Sequence, residues 1–219
     1  MAKLVIFGAG DIARLAHYYF STDSEHEVVA FTVDAGYRQS DNFLHLPLID
    51  FNRVREYFPS NRYKMFVALS YARMNRAREE KYHSVKALGY ELVSYVSSRC
   101  TYLAPEPPGN NGFILEDCTI QPFVTIGANV TLWSGSHVGH DSVVGDHVFV
   151  APHAAISGHV TIGPNCFVGV NATLRNGITL APATLVGAGA VIQNDTIEKG
   201  VYGAPRVCLL EKSSDEVSP

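Results

Sequence analysis

Several things are scarce in this 219-residue chain. No apolar run reaches the roughly 18 residues that a spanning helix needs. The opening Met1-Ala-Lys-Leu-Val-Ile-Phe-Gly8 runs into a glycine turn, not a cleavable leader. Membrane insertion is therefore not expected, and a cytoplasmic location is. Positive charge is not in excess: the net charge is -4 and the pI about 6.1, which argues against the basic stripe that nucleic-acid binding demands. The four cysteines, Cys100, Cys118, Cys166 and Cys208, form no CxxC pair. Packing is the expected role of Cys118 and Cys166, and a reducing compartment is expected.

What is abundant is a period of six. From Ile114 through Ile120, Ile126, Leu132 and Val138 to Ile192, an aliphatic residue stands at every sixth position without interruption. The position four residues later is mostly small, as at Cys118, Val124, Ser136, Ala154, Cys166 and Ala172, and glycine often follows the aliphatic, as at Gly127, Gly139, Gly145 and Gly163. With 3.6 residues per turn, a helix would smear these positions around its circumference. Short strands joined by turns accommodate them, and a hexapeptide repeat is the signature of a parallel β-helix. Three hexapeptides make one triangular coil, so residues eighteen apart lie about 4.8 Å from each other on adjacent coils.

The first ninety-seven residues follow another pattern. Lys3–Gly8 reads as a buried strand, Gly8-Ala9-Gly10-Asp11 as the turn into a helix reaching about Phe20, and Glu27–Asp34 as a strand ending in an acid. Such a βαβ unit suits a nucleotide: glycines let the backbone approach, the helix N-terminus favours anions, and Asp34 can accept hydrogen bonds. A tight turn with a surface acid is the plainer alternative. A short helix near 50–58, a strand Met65–Ser70, an amphipathic helix over 73–88 with Met74, Ala77, Val85 and Leu88 inward and its charges in solvent, and a strand Tyr90–Val96 complete a four-stranded, Rossmann-like half domain. That is about half of a dinucleotide fold, so a mononucleotide-sized site is expected. The expected organisation is therefore 1–97 as a nucleotide-sugar-binding domain, a Pro/Gly-rich linker at 98–112, a β-helix at 113–207 and a tail at 208–219.

Histidines crowd the middle of the coil at His137, His140, His147, His153 and His159. They can be exposed corner residues. Three imidazoles converging across a trimer could instead hold a metal for a lyase or hydratase. A third reading centres on His140-Asp141: an imidazole suits proton removal near neutral pH, and an adjacent carboxylate fixes its tautomer. The count of eighteen stacks His159 over Asp141, so the carboxylate could serve both rings. A non-catalytic nucleotide-binding scaffold and an NAD oxidoreductase also remain open.

The combination of Gly8-Ala-Gly-Asp-Ile-Ala13 with Asp34, His140-Asp141-Ser-Val-Val-Gly145-Asp146, Ile162-Gly-Pro-Asn-Cys-Phe-Val-Gly169, Val186-Gly-Ala-Gly-Ala190 and the exit Gly200-Val-Tyr-Gly-Ala-Pro-Arg206 resembles the left-handed β-helix sugar acyltransferases. These acetylate nucleotide-linked amino sugars or sialic acids in bacterial surface-glycan pathways such as lipopolysaccharide biosynthesis. The resemblance covers nearly the whole chain. It implies acetyl-CoA as co-substrate, no metal, a nucleotide-linked amino sugar as acceptor with sugar O-acetylation as the alternative, and a homotrimer. It places the general base on His140 and its acidic neighbour on Asp141. Coenzyme positions fall on Gly158, Val170 and Ala188; Phe149 stands where the family has a coenzyme-contacting histidine, with His153 nearby as a substitute. The nucleotide would meet Gly8, Ala9, Gly10 and Asp34. Ser70 and Tyr71 replace the family's glycine turn after the third strand.

Overall fold

The computed structural model describes residues 2–205 and 215. Arg206, Cys208 and the expected tail apart from residue 215 lie outside the described residues.

A parallel β-sheet forms early in the chain. Strand β1 (Lys3–Phe7) pairs with β2 (Glu27–Val33) on one side and β5 (Tyr63–Val67) on the other. Leu4, Val5 and Ile6 are wholly buried, as a strand covered on both faces requires. Helix α1 (Asp11–Thr22) buries Ala13, Ala16 and Phe20 at helical spacing, with Asp11 in its first turn, where the helix dipole favours an acid.

Two expectations need correcting. Leu46–Asp50 is a strand, β4, pairing in parallel with β2 and carrying the short antiparallel β3 (Asn42–Phe43) at its outer edge. It has Pro47 and only one buried residue, Leu48, so neither alternation nor an apolar run announced it. The strand expected over Tyr90–Val96 does not complete the sheet. Leu92 makes an isolated bridge to Met65, and Tyr95–Val96 pairs with Phe113–Ile114, in the coil. Thr101–Tyr102 likewise pairs with Thr119–Ile120, so coil pairing already runs through the segment expected as a connection.

The coil has three parallel sheets, one per face of a triangular prism. The first face carries Phe113, Thr131, Phe149, Phe167 and Leu185; the second Thr119, His137, Ala155, Thr173 and Val191; the third Thr125, Val143, Thr161 and Thr179. Strand partners are eighteen residues apart, as the repeat demands, except at the last rung, where Leu185 pairs with Val201. The sixth-position aliphatics fill the prism, all nearly inaccessible, with Cys118 and Cys166 between them. Burial pushes these two thiols up, to about 12 and about 11, in keeping with a packing role.

A second series, also six residues apart, sits at the prism's edges. Asn111, Asp117, Phe123, Asn129, Asp141, His147, His153, His159, Asn165, Asn171 and Ala183 all have positive φ, and Gly135, Gly177 and Gly189 occupy the same series. Asn, Asp, His and Gly tolerate that left-handed geometry best. Three of the five crowded histidines therefore stand at positions whose backbone geometry favours such residues.

The early sheet and helix α3 (Arg76–Ala87) lie over the first face. Phe66 meets Phe113, Tyr71 meets Phe149 and Phe167, and Arg78 reaches Thr131. No helix among the described residues is long and apolar enough to cross a membrane.

Candidate active site

His140 and Asp141 occupy the edge between the second and third faces. Asp141 adopts φ 57°, and its Oδ2 lies 2.8 Å from His140 Nδ1. The carboxylate accepts, so Nδ1 carries the proton and Nε2 keeps a lone pair. Both side chains are about half exposed, at 50% and 43%. The His140 backbone N–H donates to Gln121 Oε1 at 2.8 Å, tying His140 to the preceding coil. On the following coil Gly158 leaves room for the ring: a Cβ there would stand 2.7 Å from Nε2. His159 packs edge-on to His140 with centroids 4.9 Å apart, and its Nε2 is 4.0 Å from the same Asp141 oxygen. That is beyond hydrogen-bond reach, so Asp141 orients His140 and His159 is only a neighbour. The three side chains present ligand atoms within 4.8 Å of one another, all on exposed residues.

A separate cleft of about 950 Å³ opens in the N-terminal half, with Gly8, Ala9, Gly10 and Asp34 in its lining. Gly8, at φ 131°, is required twice, because a Cβ would also meet the Ala68 carbonyl oxygen at 2.7 Å. Asp34 accepts from Lys81 Nζ at 2.7 Å, and Lys81 lies over the rings of Phe7 and Phe51. Lys81 eluded the sequence reading because it is one charge among many on α3; its pairing crosses 47 residues. Ser70 and Tyr71 do not line the cleft. Tyr71 packs on the coil instead, its ring 5.0 Å from Phe149 and 4.8 Å from Phe167.

Of the expected coenzyme positions, Gly158 adjoins His140, whereas His153, Val170 and Ala188 fall near the edge between the first and second faces. The structure does not bring these four together on one edge of a single chain. His153 and Val170 are exposed, and the ring of His153 occupies the space a side chain on Gly135 would fill. Phe149 is buried between Tyr71, Arg78 and Phe167, which removes it as a coenzyme contact in this chain.

The third edge holds what the sequence hid. The buried residues from Asn75 along α3 are Asn75, Arg78, Tyr82 and Val85, not an apolar stripe. Arg78 donates to Thr131 Oγ1 and to the carbonyls of His147 and Val148, and burial pushes its guanidinium down to about 9. Beside it, the Val67 backbone fixes the Asn111 amide, Asn111 donates to Asn129 Oδ1, and Asn129 Nδ2 meets His147 Nδ1 at 2.9 Å. This relay makes Nδ1 an acceptor and leaves the proton on Nε2, 3.7 Å from Glu79 Oε1. Glu79, His83 and His147 also group their ligand atoms. With Nε2 protonated, His147 in this arrangement faces Glu79 as a donor, not as a metal ligand.

Family models place the repeat. The bacterial transferase hexapeptide (six repeats) matches residues 123–158 and 141–176, and the hexapeptide repeat of succinyl-transferase matches 159–194. No curated protein sequence matches. Among solved structures, the acetyltransferase domain of PglB from Neisseria gonorrhoeae is similar at 20% identity and TM-score 0.79, covering 93% of this chain and 97% of its own. PerB from Caulobacter crescentus, solved with CoA and GDP-perosamine, is similar at 23% identity and TM-score 0.78, covering 93% and 95%. WeeI from Acinetobacter baumannii gives 19% identity and TM-score 0.75, covering 92% and 94%. The fold is a left-handed β-helix carrying an N-terminal α/β domain.

Proposed function

We propose that this chain is an acetyl-CoA-dependent N-acetyltransferase acting on the amino group of a nucleotide-linked amino sugar in surface-glycan biosynthesis. The observation that carries the reading is the His140 ring, oriented by Asp141 through Nδ1 and with its side chain half exposed, in a chain that also holds a glycine-lined, nucleotide-sized cleft. In support, PglB has been solved with acetyl coenzyme A and PerB with CoA and GDP-perosamine.

His140 Nε2 takes a proton from the sugar amine as the nitrogen attacks the thioester carbonyl. The resulting imidazolium is stabilised by Asp141. A backbone N–H serves the tetrahedral oxyanion. Collapse breaks the C–S bond, and the imidazolium returns its proton to the departing thiolate. The products are the N-acetyl sugar and CoA, with no acyl-enzyme formed.

The working assembly in this reading is a homotrimer. His140 stands on the prism edge opposite the face that carries the N-terminal half, and the coenzyme positions split between two edges. A neighbouring copy would bring cleft, base and coenzyme groove together. Acetyl-CoA supply places the reaction in the cytoplasm. Residues 1–97 then serve the sugar nucleotide and the coil serves acyl transfer.

Thiol release from acetyl-CoA over a panel of UDP-, dTDP- and GDP-linked amino sugars tests the reading. One acceptor class should respond, and His140→Ala should lower its rate by about 10²–10⁴ while the circular dichroism and assembly stay unchanged. No release with any acceptor, or an undiminished His140→Ala enzyme, refutes it.

A further inference from the structure

We infer that Phe123 forms the acceptor wall beside His140, stacking on the C–H face of the sugar ring and setting its affinity; this rests on the function proposed above. Phe123 belongs to the same edge column as Asp141 and His159, one coil before Asp141. The two coils are joined at that point by Asp141 N–H to the Pro122 carbonyl at 3.3 Å and by the His140 N–H to Gln121.

Two features make Phe123 unusual for a phenylalanine. Phe123 is 69% exposed, so folding gains little from it. Its backbone is at φ 66°, a region costly for a bulky residue and suited to the Asn, Asp, Gly and His found at most of the other edge positions. An exposed aromatic kept in strained geometry needs a role other than packing, and strain of this kind gathers at ligand sites.

Position and chemistry together supply the role. The coil after His140 offers Gly158, whose missing side chain leaves the space that the His140 ring fills. The coil before it offers Phe123. A pyranose has apolar C–H surfaces between its hydroxyls, which an aromatic face recognises by the contact that holds ring pairs together. With the sugar against Phe123, its amine extends toward the half-exposed His140 side chain.

The test compares Phe123→Asn and Phe123→Tyr with the wild type in steady-state transfer, thermal melting and sedimentation. Asn suits the left-handed backbone, so Phe123→Asn should melt about 2–4 °C higher and keep its assembly. It should raise the acceptor KM by about tenfold and leave the acetyl-CoA KM within about twofold of the wild type. Phe123→Tyr, which keeps the ring, should restore the acceptor KM. If Phe123→Asn transfers acetyl with an unchanged acceptor KM, or loses its assembly, the inference is overturned while the functional reading stands. A wild type silent toward every acceptor overturns both.

Discussion

At residue scale, the proposed base depends on an absence as much as on a partner. Asp141 fixes the His140 tautomer at 2.8 Å, but Gly158 is what lets the ring occupy its position, since a Cβ there would meet Nε2 at 2.7 Å. The φ of Gly158 is not in the left-handed region, so alanine suits the backbone and its effect falls on the ring. Gly158→Ala should therefore lower kcat by at least about tenfold with little change in melting temperature, because a base displaced by about an ångström loses its line of proton transfer. Paired kinetic and melting measurements check this; full activity in a well-folded variant would mean the ring has slack. The His140-Asp141 pair was legible because adjacency in sequence became adjacency in space. The histidine crowd around it was not: His147, His153 and His159 take left-handed edge positions, and backbone geometry, not chemistry, set their spacing. Aliphatic periodicity reports what points inward and carries no sign of which outward residues must tolerate positive φ.

At the scale of elements, the two halves are joined by polar contacts that a hydropathy pattern misses. The stripe that α3 presents to the coil is centred on a buried guanidinium, and the residues expected as a fourth strand became the coil's first rung. Asp23, at the end of α1, meets that rung: its carboxylate accepts from the Tyr95 hydroxyl at 2.6 Å and the Ser98 N–H at 2.9 Å. Hydrogen bonds from Ser98, then from Tyr95, hold the carboxyl down from 3.8 to about 2. A carboxyl depressed on folding contributes stability above its unfolded value, and the contribution disappears as pH falls toward about 2. His147 shifts the same way for a different reason, burial lowering its affinity for a proton. Its contribution is present above 6.5 and is lost as pH falls below that value. Acid should thus weaken the fold in two windows. Asp23→Asn should cost ~1 kcal/mol at neutral pH, after allowing for solvent screening, and the difference from wild type should shrink only below about pH 4. Denaturant titrations at several pH values read this directly, and a difference independent of pH would mean the carboxylate charge is not what the rung uses.

At the scale of the whole molecule, the prism separates the parts that the proposed reaction needs together. The cleft half covers the first face, and His140 sits on the edge opposite it. If a site is assembled from one copy's cleft and another copy's base, two inactive variants can repair each other. His140→Ala removes the base. Gly10→Phe fills the cleft without disturbing the backbone, since nothing lies within 4 Å of where its Cβ would stand and its φ is not in the left-handed region. Each variant alone should be inactive. Mixed randomly in equal amounts within a trimer, about one interface in four joins an intact cleft to an intact base, so co-expressed variants should recover about a quarter of wild-type transfer. A site contained in one chain predicts no recovery, because every chain then carries one of the two lesions. The ratio is also diagnostic: recovery should rise and fall as the product of the two variants' fractions, with its maximum at equal amounts. A linear dependence on either variant would instead point to residual activity in that variant. The unbroken repeat made the prism legible from the sequence, but one chain's sequence holds no record of which of its edges meets a second copy.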